Sequence, residues 1–304
     1  MKPLTQTGFS PSAFEEKVER LIRVSIQKPL LPEEFVPWED PMDEADKYLP
    51  QTLTSLHGHP LWDTLSPEAQ VELGKMEVVQ SMYSYAWSET LACLFFNRHL
   101  LTLSPDSVEH RFLLRELIEE CRHQEMFSRA IRTLGLKPVE PTRLHRFFGN
   151  LTVRYLPAPA VFMSVMSIEL MADIYAKHIR KDPEVYSVLR KCSELHHIEE
   201  GRHIVYTEMW LEKFTAKAGF FRSTLYSFVV LFNLYFMRTL YVKQEFFERL
   251  GVENPKAYHK AASANLAKKF PDVALTHIIE FVSKFNGFNF ITKPFWRRIM
   301  KVKL

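Results

Sequence analysis

Glycine is scarce in this chain, nine in 304 residues, and with it goes the turn punctuation that a hairpin-rich sheet needs. Cysteine is scarcer still. Cys93, Cys121 and Cys192 are scattered without a C-x-x-C spacing, which excludes a disulfide framework and a zinc knuckle. Charge of either sign is not in excess: the net is +3, too mild to point to nucleic acid. The opening MKPLTQTGFSPSAFEEKVERL lacks the apolar core of a secretory signal, so a cytoplasmic location is expected. Uninterrupted apolar runs of membrane-spanning length are missing too. The nearest, Phe220 to Val242, is broken by Arg222, Asn233 and Arg238. It reads as a buried helix or a subunit interface, which would make a homodimer, and no transmembrane segment is expected.

What is present reads as helix. Hydrophobic residues make up 46% of the chain, enough for a large core, and they fall in long stretches free of turn residues. An all-α fold in a single domain, 1–304, is expected. A first helix over 12–27, with Ser12 as N-cap, and a proline-rich arm wrapped on the bundle account for 1–65. The core, 66–215, opens on Ser66, Pro67 and Glu68, a helix-start signal. Its four helices run from 66 to about 103, from SPDSVEHRF to Gly135, over 158–181, and from Pro183 to about 214. Residues 216–304 hold further helices near 220–250, 255–269 and 271–285, then a basic tail. No internal repeat or low-complexity segment stands out.

On a helical wheel each core helix shows one apolar stripe with a carboxylate in its middle. The stripes are Val78, Met82, Tyr85, Glu89, Ala92 and Phe96; Leu113, Leu117, Glu120, Phe127 and Ile131; Val165, Glu169, Ala172 and Ala176; and Val185, Leu189, Cys192, His196, Glu200, His203 and Trp210. An unpaired buried carboxylate costs several kcal/mol, and four converging ones repel each other besides. Two divalent cations would cancel the four charges. The spacing agrees: Glu-x-x-His occurs at Glu120–His123 and Glu200–His203, while Glu89 and Glu169 supply single carboxylates. That is the donor pattern of ferritin-like di-iron bundles. His196, one turn before Glu200, adds a further imidazole. Asp173, one turn after Glu169, is placed to hold a ligand imidazole by its free N–H. Glu116 sits one turn before Glu120, and Tyr85 and Cys93 lie one turn either side of Glu89. Cys121 and Cys192 read as small core fillers.

These motifs, WSETLACLFF, EECRHQEMF, SIELMADIY and LHHIEEGRHIVY, together with the connector PWEDPMDEADKYLP, resemble the p-aminobenzoate N-oxygenase (AurF-like) family of non-haem di-iron oxygenases. The resemblance implies seven metal ligands: Glu89, Glu120, His123, Glu169, His196, Glu200 and His203. It leaves His197 turned away, and it gives no catalytic residue beyond the ligands. It also implies two iron ions, with manganese or a mixed Mn/Fe pair as variants, and O₂ as co-substrate for N-oxygenation of a small-molecule amine, free or carried on a carrier protein. An external electron donor, a ferredoxin or a reductase, would be required. The alternatives are di-iron C–H hydroxylation or desaturation, and a non-catalytic ferritin-like metal binder. MEVVQSMYSYAWS, before Glu89, contains no Lys or Arg to clasp a substrate carboxylate. The C-terminal tail interleaves Lys293, Arg297, Arg298, Lys301 and Lys303 with Phe288, Phe290, Phe295 and Trp296. It reads as a docked tail or as a basic surface for an acidic partner.

Overall fold

The computed structural model describes residues 12–43 and 46–304. Ser12 caps α1 (Ala13–Gln27) in a capping box with Glu15, as the sequence suggested. The arm that follows contains α2 (Pro32–Phe35) and two single-turn 3₁₀ helices, Gln51–Leu53 and Pro60–Trp62. It is anchored by aromatic residues. Trp38 is buried, donates to the Pro32 carbonyl at 2.8 Å and lies under the Arg129 guanidinium. The arm ends in a one-residue backbone bridge: Lys47 N–H donates to the Glu184 carbonyl and Tyr186 N–H to the Lys47 carbonyl.

The core helices are α3 (Pro67–Leu100), α4 (Val108–Leu134), α6 (Ala158–Ile179) and α7 (Ser187–Thr215), with α5 (Arg143–Tyr155) between the pairs. Ser66 and Ser107 cap α3 and α4, and Gly135 ends α4 in the left-handed conformation, with φ 67°. α7 starts at Ser187 and not at Pro183, because the backbone at 184–186 is held by its bridge to Lys47. No helix is expected from the sequence between Gly135 and Ala158. α5 forms there on a Thr142 cap, with one side of the helix packed and Leu144, Phe147 and Tyr155 left exposed on the other.

The expected helix over 220–250 is two elements, α8 (Phe220–Tyr241) and α9 (Gln244–Arg249), separated by an extended Val242–Lys243 link. α10 (Pro255–Ala274) carries Pro271 inside its last turn, and α11 (Thr276–Lys284) follows. The tail forms a short helix, α12 (Thr292–Ile299). Its Trp296 is fully buried against α8 and donates to Ser227 Oγ at 2.9 Å, so the tail is docked, while Phe290 and Phe295 stay exposed. Among the described residues two helical stretches are long and apolar enough to cross a membrane, Ala158–Ile179 and Phe220–Arg249. The apolar window of the first is 83% buried, because α6 is the central helix that brings Glu169 into the core.

Candidate metal centre

All seven expected ligands are buried in the middle of the bundle. Glu89 comes from α3, Glu120 and His123 from α4, Glu169 from α6, and His196, Glu200 and His203 from α7. Three groups form, in each of which one donor atom per residue lies within 4.8 Å of the others: Glu89, His123, His196 and Glu200; Glu116, Glu120 and His203; and Glu120, Glu169 and Glu200. The third group lies between the first two and shares Glu200 with one and Glu120 with the other.

The donor atoms face one another and only partly satisfy one another: His196 Nε2 lies 3.3 Å from Glu89 Oε1 and His203 Nδ1 3.1 Å from Glu200 Oε2, while other atoms among the described residues have no partner. His123 Nδ1 is 3.2 Å from Glu200 Oε1 and 3.6 Å from Glu120 Oε2, yet it has no hydrogen bond. Both oxygens of Glu120, Glu89 Oε2 and Glu200 Oε1 are likewise buried without a partner among the described residues. Desolvated acceptors pointed at a common space are costly unless a cation sits among them. The electrostatics show the same conflict. Burial pushes Glu89 up to about 7 against an opposing hydrogen bond from His196, and burial with the charges of Glu200 and Glu120 pushes Glu169 well up. Burial also works against the charge on Glu200, but His203 and His196 outweigh it and hold that carboxyl well down. Four carboxylates with three imidazoles fit two divalent cations, and hard oxygen donors with imidazole nitrogens suit iron or manganese.

A second ring of side chains orients the first, and the sequence did not lead us to it. His203 Nε2 donates to Glu119 at 2.9 Å, and His123 Nε2 donates to Glu199 at 2.9 Å. The pairs cross: each helix's histidine is held by the other helix's carboxylate. Each outer carboxylate is in turn held by an arginine across the helix pair, Arg202 on Glu119 at 3.0 Å and Arg122 on Glu199 at 3.1 Å. Ser25 of α1 adds a 2.5 Å hydrogen bond to Glu119. Burial would raise the Glu119 carboxyl, but His203 and Arg202 outweigh it and keep it down at about 2. With both Nε2 atoms committed, the Nδ1 atoms face the cluster. The signal was available. Each Glu-x-x-His is preceded by one more Glu and contains an Arg, giving EECRH and EEGRH.

The other expected neighbours fall as follows. Asp173 does not reach a ligand imidazole. It pairs with His197 and, at 2.7 Å, with Lys177, because its place on α6 faces the outer side of α7. Tyr85 is buried with its ring stacked on His196, centroids 6.0 Å apart. Glu116 is buried beside Glu120 and His203, and both its oxygens lack a partner among the described residues. Cys192 is a core residue, whereas Cys121 is exposed, since its position on α4 turns away from the bundle.

A cavity opens against the metal cluster between α3, α5, α6 and α8, and Glu169 lines it. Apolar residues such as Trp87, Leu91, Phe148, Val165, Phe232 and Phe236 make most of the wall, and Ser88, Thr152, Ser164 and Asn233 its polar spots. Among the described residues its lining includes no Lys, Arg or His. Gly149 lets α5 approach α3: a Cβ there would stand 2.7 Å from Leu91 Cδ1 and 3.1 Å from the Trp87 ring.

A family model described as p-aminobenzoate N-oxygenase AurF matches residues 11–286. The chain belongs to this family. Among curated proteins it is similar to the uncharacterized proteins Mb0909 of Mycobacterium bovis and Rv0885 of Mycobacterium tuberculosis. Each is 24% identical over 207 residues, 66% of this chain and 61% of the relative. The chain thus spans less than two thirds of the length of these relatives. Among solved structures it resembles R2-like ligand-binding oxidase. A mutant of that protein with anaerobically reconstituted Mn/Fe cofactor gives a TM-score of 0.49 at 12% identity, over 94% of this chain and 99% of that one. The form with aerobically reconstituted Mn/Fe cofactor gives 0.44 at 13%, over 93% and 96%.

Proposed function

We propose that the protein is a non-haem dinuclear-metal oxygenase that uses two iron ions, or manganese and iron, with O₂ to oxygenate the nitrogen of an apolar amine. The observation that carries the reading is the convergence of unpartnered buried donors inside a crossed ring of Glu–His and Glu–Arg pairs. Glu89, His123, His196 and Glu200 would hold one ion, and Glu120, Glu169 and His203 the other. When bound, the two ions supply redox equivalents and open positions for O₂.

The chain's own residues do the rest. Glu119 and Glu199 fix the tautomer and ring angle of His203 and His123, so both rings present a lone pair without rearranging. Arg122 and Arg202 hold those outer carboxylates in place from across the helix pair. Tyr85 and Phe127 pack on His196 and keep water from that flank. The cavity receives the substrate against Glu169 and orients it by shape, since its wall offers few polar groups.

The substrate class follows from what the wall lacks. A carboxylate brought into this cavity would lose its hydration and find no cation, at a cost of several kcal/mol. The lining therefore favours an amine without a carboxylate over an aminobenzoate. The same apolar wall also favours a second reading, hydroxylation or desaturation of a C–H bond. Iron-loaded protein given ¹⁸O₂, a chemical reductant and a panel of neutral amines, aminobenzoates and matched hydrocarbons separates these readings. Mass spectrometry should find ¹⁸O on the nitrogen of a neutral amine, with aminobenzoates poor substrates. Labelled alcohols or alkenes in its place would favour C–H chemistry. No turnover by protein holding two metals would leave a ferritin-like metal binder.

A further inference from the structure

α4 and α7 carry the same eight-residue pattern, ELIEECRH at 116–123 and HHIEEGRH at 196–203, with Ile, two Glu, Arg and His in matching places. The structure uses the matching residues alike. Glu119 and Glu199 each hold the other helix's histidine, and Arg122 and Arg202 each hold the other helix's outer carboxylate. The first position of the pattern differs: His196 on α7, Glu116 on α4. His196 stands with Glu89, His123 and Glu200. Exchanging the helices carries these to Glu169, His203 and Glu120, and carries His196 to Glu116, which stands beside Glu120 and His203. Glu116 is 1% exposed, and among the described residues both its oxygens are buried without a hydrogen-bond partner. Ionised or neutral, a carboxyl in that position leaves polar atoms unsatisfied.

We propose that Glu116 is an eighth metal-binding side chain, a carboxylate ligand for the ion held by Glu120 and His203. The proposal rests on the dinuclear reading given above. It evens the donor count: four residues, Glu89, His123, His196 and Glu200, on one side, and four, Glu169, His203, Glu120 and Glu116, on the other. It also makes the two positions chemically different. The α7 side offers two imidazoles, while the α4 side offers one imidazole and more oxygen donors, and so favours the harder metal of a mixed pair.

The test is anaerobic titration of the full chain with Mn(II) alone, with free Mn(II) followed by electron paramagnetic resonance and thermal melts recorded with and without metal. Wild-type protein should take up two ions. Glu116→Gln should weaken the second by at least about 10-fold and leave the first unchanged. Glu116→His, which reproduces the α7 arrangement, should take up two ions again. The metal-free melting temperature of Glu116→Gln should equal or exceed that of wild type, since the carboxylate has no partner to lose. Two ions bound by Glu116→Gln with wild-type affinities would overturn the proposal. So would a lowered metal-free melting temperature together with weakening of both ions, the mark of a purely structural residue. If wild-type protein binds fewer than two ions, it is the dinuclear reading that fails.

Discussion

The metal cluster and the cavity beside it share Glu169 and differ in almost everything else. The cluster gathers buried charge in which Glu119, Glu120, Arg122 and His123 have counterparts in Glu199, Glu200, Arg202 and His203 across a pair of helices. The cavity wall is mostly apolar, has no cation among the described residues, and is drawn from α3, α5, α6 and α8 with no repeated pattern. Buried charge is so costly when unpaired that each charged residue constrains its neighbours, and the arrangement can be reasoned from residue to residue. An apolar wall carries no such constraint. Many wall compositions would serve, so the chemistry of the cluster is far better determined than the choice of substrate.

The largest expected effect separates the two regions outright. His203→Ala or Glu120→Ala should abolish binding of at least one metal ion and with it turnover, because each removes a donor whose partners stay buried. Metal analysis of folded protein checks this. Next come the crossed pairs. Glu119→Gln or Glu199→Gln should weaken metal binding by about 10–100-fold, the usual cost of losing the group that orients a ligand histidine. A metal titration reads the loss, and unchanged affinity would remove the outer ring from the account.

Glu77 shows how a buried carboxylate behaves away from the cluster. Glu77 accepts from the Ser55 amide at 2.8 Å, and burial pushes it up to about 7 from an ordinary 4.5. Its folded value lies above its unfolded one, so the stabilisation it gives is fully present below about pH 4.5. That stabilisation fades as the pH rises through 7. The span is worth at most about 3.5 kcal/mol, at about 1.4 kcal/mol per unit. Thermal melts of Glu77→Gln should therefore vary less between pH 5 and 8 than those of wild type.

The cavity should respond to change without disturbing the metals. Gly149→Ala places a methyl against Leu91 and Trp87 and should raise KM several-fold, with metal content unchanged. Loss of metal in this variant would mean that the two regions are not separable. The smallest effect is expected at His197. It pairs with Asp173 on the outer side of α7, so His197→Ala should leave metal affinity within about two-fold, as for a partly exposed pair outside the cluster.

The legible part of the fold was the part written in strong local signals. Ser12, Ser66 and Gly135 mark helix ends through their own hydrogen bonds and backbone angles, and the buried stripes of the four core helices follow a 3.6-residue period. α5 was not legible, because its stripe of Leu144, Phe147 and Tyr155 faces outward and mimics a connector with scattered apolar residues. The start of α7 depended on Lys47, 140 positions before Ser187, and no local rule carries that pairing. At the site, the seven inward residues were readable from spacing. Glu119 and Glu199 were not assigned because a Glu beside a Glu on a helix looks solvated until the facing helix is in place. Asp173 failed for the converse reason: one-turn spacing puts two residues on the same side of α6 but does not say which residue of α7 each will meet.

Anomalous diffraction from crystals loaded with manganese and iron tests the central claim most directly. Two peaks are predicted, one among Glu89, His123, His196 and Glu200 and the other beside Glu120, Glu169 and His203. A single peak, or metal bound elsewhere with these side chains left as ion pairs, would contradict it.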